Sequence, residues 1–147
     1  VISRKRHFQM FEYLGCCHCD EIQLSIEIPE HISQYSPRAC DCDFCLQHTV
    51  EYLSHPEGKM HIRARGILKA LEQGSNQAAF LCCAQCGDVI AATLLIGDRR
   101  LGAVNACLLD EYPKMQMSKT VSPKLLEPAQ KLARWQSVWF KLVVDDC

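Results

Sequence analysis

Residues 15–28 read Gly15-Cys16-Cys17-His18-Cys19-Asp20-Glu21-Ile22-Gln23-Leu24-Ser25-Ile26-Glu27-Ile28. From Glu21 onward the residues alternate strictly: Ile22, Leu24, Ile26 and Ile28 share one face, and Glu21, Gln23, Ser25 and Glu27 share the other. Successive side chains of a strand point to opposite faces, so 21–28 reads as a half-buried strand. It leaves directly from a knot of three cysteines at 16, 17 and 19. A strand that starts at clustered thiols suggests a β body fastened by metal.

Working outward, short strand-like runs recur at 49–53, 59–64, 88–96 and 101–108, separated by the turn-forming His-Pro-Glu-Gly at 55–58 and Gly-Asp at 97–98. The segment 122–136 reads as a helix: Ser122 can cap it, Pro123 suits a first turn, and Leu125, Leu126, Ala129, Leu132 and Ala133 form a stripe. Pro128 is expected to shorten or kink it. Residues 138–144 return to strand formers and are expected to close a sheet edge. The fold class is therefore mainly β with a short C-terminal helix. The 147 residues, 48% hydrophobic and 22% charged, contain no repeat or linker and are expected to form a single domain over 1–147.

Charge excludes several functions. Sixteen Lys and Arg against seventeen Asp and Glu leave a net charge of -1, too little to hold a polyanion over a whole face, so nucleic acid is not the expected partner. The basic run Arg4-Lys5-Arg6 reads as a solvated tail. The longest uncharged apolar stretch, 89–97, has nine residues, whereas a spanning helix needs about twenty, so no membrane partner is expected. No apolar run of signal-peptide length follows the basic start, which points to the cytoplasm, where thiols stay reduced.

The chain has eleven cysteines, an odd number, and most are clustered. Disulfides between near neighbours close tiny strained loops, whereas thiolates two or three positions apart can meet one zinc ion at about 2.3 Å. Cys17 with Cys19, and Cys83 with Cys86 of Cys82-Cys83-Ala84-Gln85-Cys86-Gly87, make a four-thiolate set that would staple distant segments. The competing reading is buried free thiols. The middle cluster, Cys40-Asp41-Cys42-Asp43-Phe44-Cys45, has three thiols and no obvious fourth sulfur nearby in sequence. Three ligands leave an open position for water or substrate; alternatively His48, His18 or a leftover cysteine closes the site as a second staple.

Cys16 and Cys82, next to proposed ligands, should point away from them into packing. Cys107, among apolar neighbours in an expected strand, should be buried, and the terminal Cys147 uninvolved. His18, His48, His55 and His61 receive no catalytic role. Trp135 and Trp139 are read as core, and Asp41 and Asp43 as solvated carboxylates that could also act as bases.

Taken together, the clusters resemble the glutathione-dependent formaldehyde-activating enzymes. Gly15-Cys16-Cys17-His18-Cys19 resembles that family's Gly-x-Cys-His-Cys, Cys40 to Cys45 its Cys-x-Cys-x-x-Cys, and Phe80 to Gly87 its Phe-Cys-x-x-Cys-Gly; Val104-Asn105-Ala106-Cys107-Leu108 resembles a weaker downstream stretch. The family-like core covers about 13–110, and 111–147 diverges. The resemblance implies a zinc-stapled β-tent fold with two Zn2+ per chain. Cys17, Cys19, Cys83 and Cys86 would hold the structural zinc, and Cys40, Cys42 and Cys45 the catalytic one. It further implies a carbon-sulfur lyase similar to S-(hydroxymethyl)glutathione synthase, in which glutathione thiolate meets formaldehyde at the open position. Asp20 stands where the family usually has Gly, Asp43 where it often has Ser, and Leu46-Gln47 where basic residues often follow the third cysteine. These departures bear on substrate recognition more than on metal. The alternative expectation is a catalytically inactive zinc-stapled module that binds a protein partner; a redox or metal-buffering protein using the spare thiols ranks last.

Overall fold

The structure, a computed structural model, describes residues 10–40, 45, 47, 49–72, 78–121 and 125–146. The alternating stretch forms β2 (Ile22–Ile28), and its Ile22, Leu24, Ile26 and Ile28 are all buried. β1 (Phe11–Cys16) flanks it on one side, antiparallel, with Gly15 opposite Leu24. On its other side runs β5 (Lys59–Ala64), antiparallel, with Leu24 opposite Ile62. Burial of Met60, Ile62 and Ala64 puts the apolar faces of β2 and β5 on the same core.

Among the described residues, further strands are β3 (Arg38–Cys40), β4 (Glu51–Leu53), β6 (Leu68–Glu72), β7 (Ala79–Cys83), β8 (Val89–Ile96), β9 (Arg99–Asn105), β10 (Lys119–Val121) and β11 (Phe140–Asp146). They form one mixed sheet in the order β1-β2-β5-β11-β9-β4-β3-β10, with β6, β7 and β8 branching off β9. Two pairs are parallel, β11 with β5 and β10 with β3. The body is mainly β with one C-terminal helix, as the sequence pattern indicates.

Three local expectations are corrected. The strand expected at 101–108 stops at Asn105, whose side chain donates to Val89 O at 2.8 Å and accepts from the Cys107 amide at 3.2 Å. That bond starts a 3-10 turn over Ala106–Leu108 in place of further strand. Helix α1 spans Pro128–Val138; Pro128 opens it instead of kinking it, because the first turn has no use for the missing N–H. Glu127 and Gln130 form a reciprocal capping box there, while Ser122 and Pro123 lie outside the described residues. β11 lies between β5 and β9 instead of at an edge, with Phe140 fully buried. Strand-forming composition marks β11 as a strand but holds no information about its neighbours, which are remote in sequence.

The buried residues form two groups. The first gathers β2, β5, Ile90, Val104, Phe140 and Leu142, and includes Cys17 and Cys83. The second gathers Cys45, Val50, Tyr52, Cys82, Val89, Leu94 and Trp139, with Leu132, Trp135 and Val138 of α1 packed against it. Trp135 and Trp139 stack at 5.1 Å, as core aromatics should. No helix among the described residues is long and apolar enough to cross a membrane.

Candidate metal centre

The first and third cysteine clusters fold into two turns built alike. After β1, the Cys17 amide donates to Ile22 O at 3.0 Å and Cys17 O accepts from the Asp20 amide at 3.0 Å. At the end of β7, the Cys83 amide donates to Asp88 O at 2.9 Å and Cys83 O accepts from the Gly87 amide at 2.9 Å. Each turn carries one residue in the left-handed region, Asp20 at φ 68° and Gly87 at φ 80°. Glycine reaches that conformation without a Cβ clash, and Asp is among the few other residues that tolerate it. This is the physical reason a glycine suits position 20.

The turns bring four sulfurs together. Cys17 Sγ lies 3.6 Å from Cys19 Sγ, and Cys19 Sγ lies 3.5 Å from Cys83 Sγ. With Cys86, all four lie within 4.8 Å of one another. A tetrahedral zinc site with bonds of about 2.3 Å requires sulfurs about 3.8 Å apart, so the cluster has the size and donor set for one metal ion such as zinc. Cys17 and Cys83 are each 2% exposed, which places the ligands at the edge of the first core and ties any ion there to folding.

Without a metal, the crowded thiols share protons. Burial pushes Cys83 up, but the amides of Cys86 and Gln85 and the thiols of Cys19 and Cys86 pull it down further, to about 7. The Glu21 amide lowers Cys19, yet burial and the neighbouring sulfurs of Cys83, Cys17 and Cys86 outweigh it and push that thiol up to about 12. Burial raises Cys86 as well. One thiolate held by several N–H and S–H donors is the arrangement a cation would exploit. The Ile22 amide adds a longer bond to Cys17 Sγ, at 3.4 Å.

His18 faces Asp88 across the two turns. One carboxylate oxygen accepts from the His18 amide at 2.8 Å and meets the imidazole Nδ1 at 2.5 Å. Asp88 was not singled out in the sequence, where its position after Cys86-Gly87 is its only mark.

Of the middle cluster, Cys40 ends β3 and Cys45 is 2% exposed, its sulfur 3.2 Å from the Tyr52 hydroxyl. Cys42, Asp41, Asp43, Leu46 and His48 lie outside the described residues, as do Arg4-Lys5-Arg6 and Cys147. Among the described residues, the set of Cys17, Cys19, Cys83 and Cys86 is the one group of three or more potential ligands within metal-binding distance. Tyr52 carries no sequence mark, since it meets Cys45 through the pairing of β3 with β4.

The remaining cysteines divide. Cys82 is buried in the second group while Cys83 is in the first, so the two do point to opposite sides. Cys16 is half-buried, its thiol raised by burial and by Asp20. Cys107 is exposed, contrary to expectation, because the 3-10 turn carries it off the sheet. His61 meets Asp145 at 2.5 Å, and His55 Nδ1 accepts from the Glu57 amide at 3.0 Å. Both are structural bonds.

No protein-family model and no curated protein matches the chain. The structure is similar to the crystal structure of a Rhodobacter sphaeroides protein, a Northeast Structural Genomics target, at 19% identity and a TM-score of 0.49. The match covers 80% of this chain and 93% of that one.

Proposed function

We propose that the protein is a zinc-dependent carbon-sulfur lyase, similar to S-(hydroxymethyl)glutathione synthase and built as a β-tent, that adds a small aldehyde such as formaldehyde to a thiol such as glutathione. The observation that carries this reading is the four-sulfur cluster. Cys17, Cys19, Cys83 and Cys86 are the residues that the resembled family's first and third motifs assign to a structural zinc, and they converge here with tetrahedral spacing. Four thiolates saturate an ion and leave no position for substrate.

The chemistry is therefore assigned to Cys40, Cys42 and Cys45, a three-thiol set with one position left open. A zinc ion bound there would keep a substrate thiol in its reactive thiolate form at neutral pH. Antiparallel pairing of β3 with β4 fixes Cys40, and the Tyr52 hydroxyl orients Cys45. The thiolate forms the carbon-sulfur bond with the aldehyde carbon, the carbonyl electron pair moves to oxygen, and that oxygen takes up a proton. Close placement of the two reactants supplies most of the rate.

The test counts zinc by native mass spectrometry and measures formaldehyde-glutathione turnover for the full chain, Cys42→Ser and Cys83→Ser. The expected result is two zincs, a folded Cys42→Ser without turnover, and a Cys83→Ser that is unstable. Unchanged turnover in Cys42→Ser overturns the mechanism.

A second reading is favoured by the burial of Cys45 under Tyr52. A sulfur so enclosed suits a structural role, and the chain would then be a zinc-stapled module that binds a protein partner without turnover. One zinc per chain and no retained glutathione select this reading.

A further inference from the structure

Outside the four-sulfur cluster, the least compensated charge among the described residues is Arg38. It lies in β3 two residues before Cys40, so both side chains leave the same face of the strand. Across the ladder it stands opposite Tyr52, whose hydroxyl meets Cys45. Its guanidinium is mostly buried and donates to Ser54 Oγ at 2.5 Å. Ser54 is itself buried, at 7% exposure. No carboxylate among the described residues pairs with Arg38 or with Arg134 of α1. Burial, and then the like charge of Arg134, disfavour the Arg38 cation.

A guanidinium stays charged at every accessible pH, and burying it without a partner is costly. It has five N–H donors in a planar fork, and Ser54 takes one of them. The free geometry of that fork matches a carboxylate, which would accept two parallel bonds and neutralise the pair of arginines. α1 lays Leu132, Trp135 and Val138 over the group that contains Cys45 and Tyr52, which brings Arg134 to the same side.

We propose that Arg38, assisted by Arg134, is a carboxylate-binding subsite beside Cys40 and Cys45, and that the thiol used there is one that carries a carboxylate. The second half rests on the reading given under Proposed function; the first does not. The subsite replaces the help that basic residues after Cys45 would have given, since Leu46 and Gln47 stand there.

The test uses the zinc-loaded full chain and two kinds of probe. Propionate, which has no thiol, is titrated while the Arg38 side-chain N–H resonance is followed by NMR. 3-Mercaptopropionate is then compared with 2-mercaptoethanol by calorimetry. A saturable shift at Arg38 is expected, lost in Arg38→Gln and weakened in Arg134→Gln. The acidic thiol should bind about tenfold more tightly than the neutral one, and Arg38→Gln should erase that preference. An Arg38 resonance that ignores propionate overturns the subsite whatever the thiols do, and so does a preference that survives Arg38→Gln. Propionate binding lost in Arg38→Gln, with neither thiol bound, keeps the carboxylate subsite and removes the thiol chemistry. The wild-type titration decides the point even where Arg38→Gln does not fold.

Discussion

Replacing Cys83 by Ser removes one of four sulfurs and, with it, the staple between two turns whose cysteines 19 and 83 are 64 positions apart. A cross-link that closes a loop of this length restricts the unfolded chain by about 4 kcal/mol in the chain-entropy treatment. The gain appears only while the ion is bound, so it follows zinc concentration by mass action. The buried position of Cys83 adds roughly 1 kcal/mol for placing a hydroxyl where a thiol sat. Urea denaturation of wild type with saturating zinc and with chelator should therefore differ by about 4 kcal/mol, and Cys83→Ser should show little zinc dependence. Cys82→Ser is the matched control. Its side chain is equally hidden but points into the other buried group, so it should cost about 1 kcal/mol and keep the full zinc response. Wild-type stability that ignores the chelator, or a Cys82→Ser variant as insensitive to zinc as Cys83→Ser, refutes the assignment of ligands.

The metal-free protein should show one thiol ionising near 7, read by ultraviolet thiolate absorbance, and Cys83→Ser should abolish that step. Because the folded value of Cys83 is depressed below that of an ordinary thiol, its stabilisation is present at alkaline pH and is lost as pH falls through 7; Cys19, raised to about 12, contributes below the ordinary thiol range and loses its contribution as pH rises toward 12. Gly15→Ala should destabilise by about 2 kcal/mol or more in thermal melts, because a Cβ there runs into the backbone carbonyl of Leu108. Phe140→Ala should cost about 3–5 kcal/mol by urea denaturation, since β11 is an interior strand and Phe140 is fully buried. Asp20→Gly should raise stability by about 1 kcal/mol in the same assay through relief of the left-handed backbone at φ 68°.

Local pattern carried a large part of the structure. The alternation of 21–28 defines β2 to within one residue, and 59–64 and 88–96 correspond closely to β5 and β8. Each of these strands is long enough, and packed firmly enough, to show its burial in its composition. The three-residue strands β3, β4 and β10 have too few positions to reveal a period, and β4 emerged only as part of a longer run. The end of β9 was hidden because Asn105 ends it through a hydrogen bond to Val89, sixteen residues away. Cys107 was misplaced for the same reason.

The ligand set was readable because metal coordination demands particular side chains at short, regular spacing, and Cys17, Cys19, Cys83 and Cys86 meet that demand in the sequence alone. Sequence also determined the mainly β character, since the period of hydrophobic residues is a local property of the chain. Tertiary structure decided which strands are neighbours, how the two cysteine turns meet, and that β11 runs inside the sheet. It alone placed Arg38 beside Ser54 and across from Tyr52, and Asp88 beside His18. These pairings join residues that are remote along the chain, and their partners are selected by strand register and packing, which no short stretch of sequence contains.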